Sequence, residues 1–159
     1  MSTPSNPLES LAKLIPGYSG HLQLEKRRED DRMMRAFLSR RLRECKTSLD
    51  RNLRALAEVN PLQGVAEGEK IRKSIHHIQN RLDSAVEGYA SWFDQRVVDD
   101  ELLKRVADTD AGLVGLVDRL HQAIDIKGKN GMDIVVVESL LSQMEQRIDK
   151  RHEILHGDR

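Results

Sequence analysis

Residues 71–92 read IRKSIHHIQNRLDSAVEGYASW, and this stretch decides the fold. Its inward positions recur in alternating steps of four and three residues, at Ile71, Ile75, Ile78, Leu82, Ala85, Tyr89 and Trp92. Because a helix has about 3.6 residues per turn, this spacing places all of them on one face. The stretch therefore predicts a long amphipathic helix whose apolar face packs against other helices.

The same rhythm continues on both sides of this stretch. An upstream seam contains Leu38, Leu42, Cys45, Leu49, Leu53 and Leu56, which predicts that Cys45 is a small core residue rather than a nucleophile. Two downstream stripes contain Leu103, Val106, Asp110, Leu113, Val117, Leu120 and Ile124, and then Ile134, Val137, Leu141, Met144, Ile148, Arg151 and Leu155. We predict an all-α fold, an antiparallel bundle of about four long helices at approximately 21–58, 67–93, 99–127 and 132–156.

Residues 1–20 differ in composition from the rest, since they contain three of the four prolines. They predict an irregular N-terminal arm with a turn at Pro16-Gly17, followed by a single helical-bundle domain over 21–159. Leu8, Leu11 and Leu14 recur at helical spacing, so a short amphipathic turn of the arm could lie against the bundle.

Composition excludes several classes of protein. With 38% hydrophobic and 3% aromatic residues among 159, the chain lacks the strand-forming side chains of a β-sandwich or barrel. Its 26 basic and 26 acidic residues give zero net charge, which disfavours nucleic-acid binding. One cysteine cannot form an intramolecular disulfide, so we expect a cytoplasmic location. The longest apolar run, 134–137, is far short of the ~20 residues of a membrane span.

Two opposite charges interrupt the apolar stripes. Asp110 occupies a core position of the third long helix and Arg151 a core position of the fourth. Charged side chains are buried only when they are paired and hydrogen-bonded. Sequential helices joined by a short turn are antiparallel neighbours, which brings these two positions together. We predict a structural ion pair between them, with exposure of both at the rim as the alternative.

The segment 152–156 reads HEILH and matches the H-E-x-x-H pattern of zinc hydrolases. On a helix this spacing puts His152 and His156 on one face, where they could bind a metal. A zinc site needs at least a third ligand, and only three residues follow His156. We therefore assign no metal, no cofactor and no catalytic residue, and keep the two histidines as weak metal candidates.

The first long helix is basic. Residues 20–58 contain eleven Lys or Arg and seven Asp or Glu. Seven of its nine arginines lie in its first part, at Arg27, Arg28, Arg32, Arg35, Arg40, Arg41 and Arg43. They predict either a solvated face with ion pairs one turn apart or a docking surface for an acidic partner. At ~57 Å against ~40 Å for the others, this helix should leave its N-terminal third without a helical neighbour.

Three of the five aromatic residues, Tyr89, Trp92 and Phe93, lie together near the end of the second long helix. Large rings of this kind fill cores and anchor interfaces. In an antiparallel pair this end lies beside the start of the first helix. The candidate partner-binding residues there are Tyr18, Arg28, Asp31, Arg32, Arg35, Tyr89, Trp92, Phe93 and Asp94, with a purely structural cap as the alternative.

Three motifs give the chain a family resemblance. They are Ile15-Pro16-Gly17-Tyr18-x-Gly20, Glu25-x-Arg27-Arg28-Glu29-x-Asp31-Arg32 and Gly88-Tyr89-x-x-Trp92-Phe93-Asp94. The chain resembles an uncharacterised family of small bacterial α-helical proteins with an I-P-G-Y-x-G-Y motif, an R-R-E-x-D-K/R run and a G-Y-x-x-F-F-D motif. His21 replaces the second tyrosine and Trp92 a phenylalanine. The resemblance implies a cytosolic helical bundle and no known activity.

These features together predict a non-enzymatic helical-bundle adaptor or scaffold. It would bind a protein partner of unknown identity through the basic first helix and the aromatic end, as a monomer or a dimer. One alternative is a metal-binding bundle or hydrolase that uses the HEILH segment. The other is a nucleic-acid or ribosome-associated factor that uses the arginine-rich helix.

Overall fold

The computed structural model describes residues 6–20, 24–95, 100–125 and 131–156, with side chains except at 24–26 and 85–95. These residues form five α-helices and no strand, which confirms the all-α fold. The helices are α1 (Pro7–Leu14), α2 (Leu24–Val59), α3 (Pro61–Gln95), α4 (Asp100–Ile124) and α5 (Ile134–His156). Within the described ranges, none of them combines the length and apolar character that crossing a bilayer requires.

The short amphipathic turn predicted from Leu8, Leu11 and Leu14 is present as helix α1, so the arm is regular rather than irregular over residues 7–14. The Asn6 side chain accepts a hydrogen bond from the backbone N–H of Leu8, and Pro7 occupies the first helical turn. Both features start a helix at low cost, because they satisfy or remove N–H groups that have no partner inside the helix. Leu11 is fully buried and belongs to the main core, and α1 packs on α4.

A turn at 15–18 redirects the chain from α1 towards α2. The N–H of Tyr18 donates to the carbonyl oxygen of Ile15 at 3.1 Å, with Pro16 and Gly17 between them. Gly17 has φ +85°, the left-handed value that the third residue of a type II turn requires. Ile15 and Tyr18 are both buried, so the turn fixes the arm to the bundle.

The second long helix begins earlier than the predicted position 67. Only Asn60 separates α2 from α3, and its side-chain oxygen accepts from the N–H of Gln63 at the start of α3. Pro61 takes the first helical position, where it needs no N–H. Gly64 and Gly68 do not end the helix, because they lie buried against α2, where a side chain on Gly68 would clash with Leu53.

The core follows the predicted stripes. Fully or almost fully buried are Leu38, Leu42, Cys45 and Leu49 of α2, Ile71, Ile75, Ile78 and Leu82 of α3, Leu113, Val117, Leu120 and Ile124 of α4, and Val137, Leu141, Met144 and Ile148 of α5. The prediction that Cys45 is a core residue is therefore confirmed. One continuous apolar cluster includes residues of all five helices.

The neighbours α2 and α4 run in the same direction. Arg41 of α2 hydrogen-bonds Asp118 of α4, and Ser48 hydrogen-bonds Asp125 just beyond the end of α4. Both pairs are separated by 77 positions, so residue numbers rise together along this contact. The two helices consequently start at one end of the bundle and end at the other.

The neighbours α3 and α5 also run in the same direction. Arg81 pairs with Asp149 across 68 positions, and Lys70 pairs with Glu138 at the same separation. These two contacts are therefore parallel. The sequential helices α2 and α3 run antiparallel, because Arg35 contacts Leu82 whereas Arg72 contacts Asp50. Periodicity identifies the inward face of each helix, but it carries no information about which helices become neighbours.

The free end of α2 is its C-terminus, not the N-terminal third as its length suggested. Asn52 donates to the carbonyl oxygen of Ile124 at the end of α4, and α2 continues from there to Val59. On the other side, Arg27 and Met34 in the first part of α2 are buried. Residues 53–69, which we call the tip, therefore extend past the end of α4.

Candidate functional site

Six charged side chains are buried at the end of the bundle where α2 and α4 begin. They are Arg27, Asp30, Asp31 and Arg35 of α2, Asp110 of α4 and Arg151 of α5. Three are basic and three acidic, so the group is neutral overall. We call this group the charge network. Burial of so many charges is stable only when each is paired or hydrogen-bonded.

Arg151 connects the three helices that contribute to the charge network, α2, α4 and α5. Its Nε donates to Asp110 at 2.6 Å, and its Nη2 donates to Asp31. Asp31 also accepts from Nε of Arg35 at 2.9 Å, and Arg35 donates onward to the carbonyl oxygen of Leu82 at 3.2 Å. The structure thus brings Asp110 and Arg151 together, as their positions on the stripes predict. Asp31 is an additional partner that the prediction lacked.

Asp30 holds the chain segment that leads into α2. Its carboxylate accepts from the backbone N–H groups of Ser19 and Gly20, at 2.6 and 3.0 Å, and from the Ser19 hydroxyl. A carboxylate that accepts several hydrogen bonds in this way orders a loop strongly. Asp30 therefore fixes Tyr18, which precedes this segment, at the mouth of the charge network.

Tyr18 and Arg27 lie side by side at this mouth. Burial, helped by the nearby negative charge of Asp110, raises the pKa of the Tyr18 hydroxyl to about 12, although Arg27 acts to lower it. Both side chains line a cavity that also touches Leu102, Val106 and the network itself. The cavity offers about 20 Å³ to water-sized atoms, which is room for one or two of them.

Burial dominates the ionisation of Asp110. Removal from water raises the pKa of its carboxyl above the ordinary value, and the charge and hydrogen bond of Arg151 only partly oppose this. Asp110 accordingly takes up a proton more readily than an exposed aspartate.

The nine predicted partner-binding residues are divided by the structure. Tyr18, Asp31 and Arg35 lie inside the bundle, each less than a tenth exposed, and so are not part of an open surface. Arg32 is exposed and pairs with Glu29. Arg28 is half-buried and takes part in further interactions. The side chains of Tyr89, Trp92, Phe93 and Asp94 lie outside the described part of the chain.

The seven arginines between positions 27 and 43 of α2 do not form an open basic surface. Arg27 and Arg35 belong to the buried charge network, and Arg41 pairs with both Glu44 and Asp118. Arg40 lies over the ring of Phe37, with 5.6 Å between its guanidinium carbon and the ring centre. Nucleic-acid binding by such a helix would need free cations along one face. The observed ion pairs favour the interpretation of these arginines as a face with internally paired charges over that of a docking surface for an acidic partner.

His152 and His156 lie exposed on α5 with their rings stacked, 3.8 Å between centres. Nδ1 of His156 lies 2.9 Å from the carbonyl oxygen of His152. Desolvation and the neighbouring His156 lower the pKa of His152. Among residues 6–20, 24–95, 100–125 and 131–156, no third His, Cys, Asp or Glu completes a metal site with them.

Three of the six large apolar side chains that are exposed in the described part of the chain lie in the tip. Val59 is 84% exposed, Leu62 88% and Val65 61%. Val135 and Val136 at the start of α5 are also exposed. They lie at the same end of the bundle as the tip, because Lys70 near the start of α3 pairs with Glu138 near the start of α5. Of the large apolar side chains exposed in the described part of the chain, only Leu14 lies elsewhere.

A groove runs between α2 and α3 within the tip. Its apolar lining consists of Leu53, Ala57, Gly64 and Val65, and its charged edges are Asp50, Arg54, Glu69 and Arg72. The free volume is about 350 Å³, large enough for several side chains of another molecule. This groove is open, in contrast to the small cavity beside Arg27.

Arg27 and Asp30 are the residues that reasoning from sequence did not select. The signal was present, because the α2 stripe extended back from Leu38 reaches Arg35, Asp31 and then Arg27 in helical steps. Asp30 lies one position off this stripe, and its partners are backbone groups outside α2 that periodicity cannot indicate.

No protein-family model, no curated protein and no solved structure matches this chain. Function is therefore inferred from the side chains and surfaces of this chain alone.

Proposed function

We propose that the protein is a helical-bundle adaptor that binds another protein through its tip. The observation that carries the proposal is the concentration of exposed apolar side chains at one end, led by Leu62 at 88% exposure. Contiguous exposed apolar surface on a folded protein marks an interaction site.

The shape of the groove indicates the chemistry of the partner. An apolar floor with charged edges is the arrangement that receives the apolar face of an amphipathic helix. Leu53, Ala57 and Val65 form the floor, and the close approach of α2 and α3 at Gly68 keeps the groove narrow. We therefore specify the partner segment as an amphipathic helix of a different protein.

Charge favours acidic residues beside the apolar stripe of that helix. Arg72 is already paired with Asp50 and Glu69. Arg54 lies exposed at the edge of the groove, and no ion pair of Arg54 occurs within the described residues. A partner carboxylate beside Arg54 would contribute mainly to association rate and orientation, as rim charges do.

The opposite end retains the second surface predicted from sequence. Arg28, Arg32 and the segment 89–94 remain candidates there, and the buried charge network stabilises the bundle beneath them. We prefer the tip as the partner-binding surface because its apolar residues are exposed to solvent. At the opposite end, Tyr18, Asp31 and Arg35 are buried inside the protein, where Arg35 donates to Asp31.

Photo-crosslinking in the source cell tests the proposal. A photoreactive amino acid replaces Leu62 in one variant and His77 in a matched control, since His77 is exposed on the same helix but away from the tip. We expect a discrete adduct with another protein from position 62 and none from position 77. Equal adducts at both positions, no adduct, or an adduct only with a second copy of this chain would contradict the proposal.

A titration then quantifies the contact. The captured protein, once purified, should bind the Leu62→Glu variant at least tenfold more weakly than the wild type, because a carboxylate would have to be buried in an apolar contact. The His77→Glu variant should bind as the wild type does. Equal binding by all three proteins would show that the tip is not the docking surface.

A further inference from the structure

Three arginines on the outer face of α4 and α5 are not neutralised by any acid. Arg105 and Arg119 of α4 and Arg147 of α5 are exposed, and their guanidinium groups make no hydrogen bond or ion pair within the described residues. Glu101 and Asp108, the acids nearest to Arg105 along α4, are exposed and do not pair with it. These three charges are therefore available to another molecule, unlike the paired arginines of α2.

Arg147 is held in place by its contact with a glycine of α4. A Cβ added at Gly112 would clash with the guanidinium atoms of Arg147, so this guanidinium lies directly on the backbone of Gly112. The contact restricts the side chain but uses none of its five N–H donors. A group that is already positioned loses less conformational freedom when it binds an anion. Arg147 is thus preorganised for a carboxylate.

Arg105 and Arg119 flank this point at equal distances along α4. Each lies seven residues from Gly112, which is close to two full turns of helix. Both are therefore attached on the side of α4 that contacts Arg147, about 10 Å before and after it. We call Arg105, Arg147 and Arg119 the arginine row.

The spacing of the arginine row matches an acidic helix better than a nucleic acid. Carboxylates seven residues apart on a helix repeat about every 10.5 Å, whereas phosphates follow one another at about 3.4 Å of axis along one DNA strand. Three cations neutralise few phosphates, and the chain as a whole has zero net charge. The row therefore suits a helix that carries an acidic residue at every seventh position.

A second glycine keeps the surface beside the arginine row low. Gly115 is exposed, and a Cβ placed there would contact nothing within 4 Å. The absence of a side chain at this position allows another backbone to approach α4 closely. A partner helix with small residues beside its acids fits this surface best.

We infer that the outer face of α4 and α5 is a second docking surface, which binds a helix of another protein whose acidic residues, seven positions apart, contact Arg105, Arg147 and Arg119. This surface lies along α4, whereas the tip extends past the end of α4. The inference goes beyond the proposed function and does not depend on it.

Two alanine-based peptides of identical composition test the inference. Each contains three glutamates and a staple that keeps it helical, but the glutamates are seven residues apart in one peptide and five apart in the other, which distributes them around the helix. Exposed ion pairs are individually weak and are screened by salt, so ¹⁵N-labelled full-length protein is titrated at low ionic strength and followed by nuclear magnetic resonance. We expect a saturable shift of the Arg147 Nε–H signal and at least fivefold tighter binding of the peptide with seven-residue spacing.

Three variants locate the contact. Arg147→Gln should weaken binding of this peptide at least threefold. Gly112→Ala keeps every charge but displaces the Arg147 guanidinium, so it should weaken binding as well. Arg54→Gln changes an exposed arginine of the tip and should leave binding unchanged. Melting temperatures of the variants verify that each is folded.

Equal affinity for the two peptides, or no measurable binding of either, would overturn the inference. So would loss of binding on Arg54→Gln but not on Arg147→Gln, because the peptide would then occupy the tip. A DNA or RNA duplex that binds more tightly than the peptide and depends on Arg147 would assign this surface to nucleic acid instead.

Discussion

Asp110 shows how a single charge fixes the fold at the residue scale. It is 3% exposed. Arg151 of α5 donates to both Asp110 of α4 and Asp31 of α2, so three helices meet at this contact. Buried ion pairs add little net stability compared with apolar residues of the same size, but loss of one partner leaves the other uncompensated. The network therefore matters most for holding the helices in one register.

We predict that Asp110→Ala lowers the free energy of unfolding by about 3 kcal/mol, because it removes a buried acceptor of Arg151. Asp108→Ala, two positions away and exposed, should change it by no more than about 0.5 kcal/mol. Urea denaturation of both variants provides the measurement. Equal midpoints would show that Asp110 is not part of a functioning buried pair.

The residues of the network also show what a sequence can reveal. Asp110 and Arg151 were identified because they occupy apolar positions of a regular stripe. Asp31 and Arg35 occupy equivalent positions on α2, but the density of charge around them favoured a surface. Their burial depends on Arg151, which is 120 positions away from Asp31, and no local pattern contains that contact.

At the scale of elements, α1 shows two sequence signals that point in different directions. A composition rich in proline indicated an irregular arm, whereas the spacing of Leu8, Leu11 and Leu14 indicated a short helical turn. Capping by Asn6 and a proline at the helix start give eight helical residues there. Propensity averages over a segment and so conceals such local signals. Packing on α4 then stabilises a helix that is too short to persist alone.

We predict that Leu11→Ala destabilises the whole bundle by about 3 kcal/mol, since it opens a cavity in the common core. Leu14, half exposed on the same helix, serves as the matched position, and Leu14→Ala should cost less than about 0.5 kcal/mol. Thermal and urea unfolding of the pair will show the difference. A silent Leu11→Ala would mean that α1 is not attached in solution.

The start of α3 illustrates a second limit of pattern reading. Residues 60–64 resemble a break in the sequence, but in the structure Gly64, together with Gly68, allows α2 and α3 to approach closely beside Leu53 and Leu56. Glycine in a helix lowers its propensity, and only a close neighbour explains its presence there. The identity of that neighbour depends on tertiary pairing.

At the scale of the whole molecule, the order of the helices was not predictable. Where side chains are described, each stripe located an inward face, so the core residues were largely identified in advance. Ala85, Tyr89 and Trp92 of the α3 stripe lie outside the described side chains. The same-direction contacts of α2 with α4 and of α3 with α5 depend on how two helical hairpins pack together. For the same reason, the prediction that the N-terminal third of α2 lacks a helical neighbour is wrong, and it is the C-terminal part of α2 that extends past α4.

Cys45 offers a probe of opening of the entire bundle. It is fully buried, and burial raises the pKa of its thiol to about 12, so the native protein presents almost no reactive thiolate at neutral pH. We predict that a disulfide reagent modifies Cys45 only on unfolding, at a rate that rises when Asp110→Ala shifts the equilibrium. Fast modification of the folded wild type would refute this.

The contact between Asp31 and Arg151 also has a consequence for synthesis of the chain on the ribosome. Asp31 emerges early, whereas its partner lies 120 residues later. Until α5 has left the exit tunnel, the carboxylate of Asp31 lacks the hydrogen bond from Arg151. A nascent chain that has not yet released Arg151 therefore lacks the contact that joins α2 to α5 within the charge network.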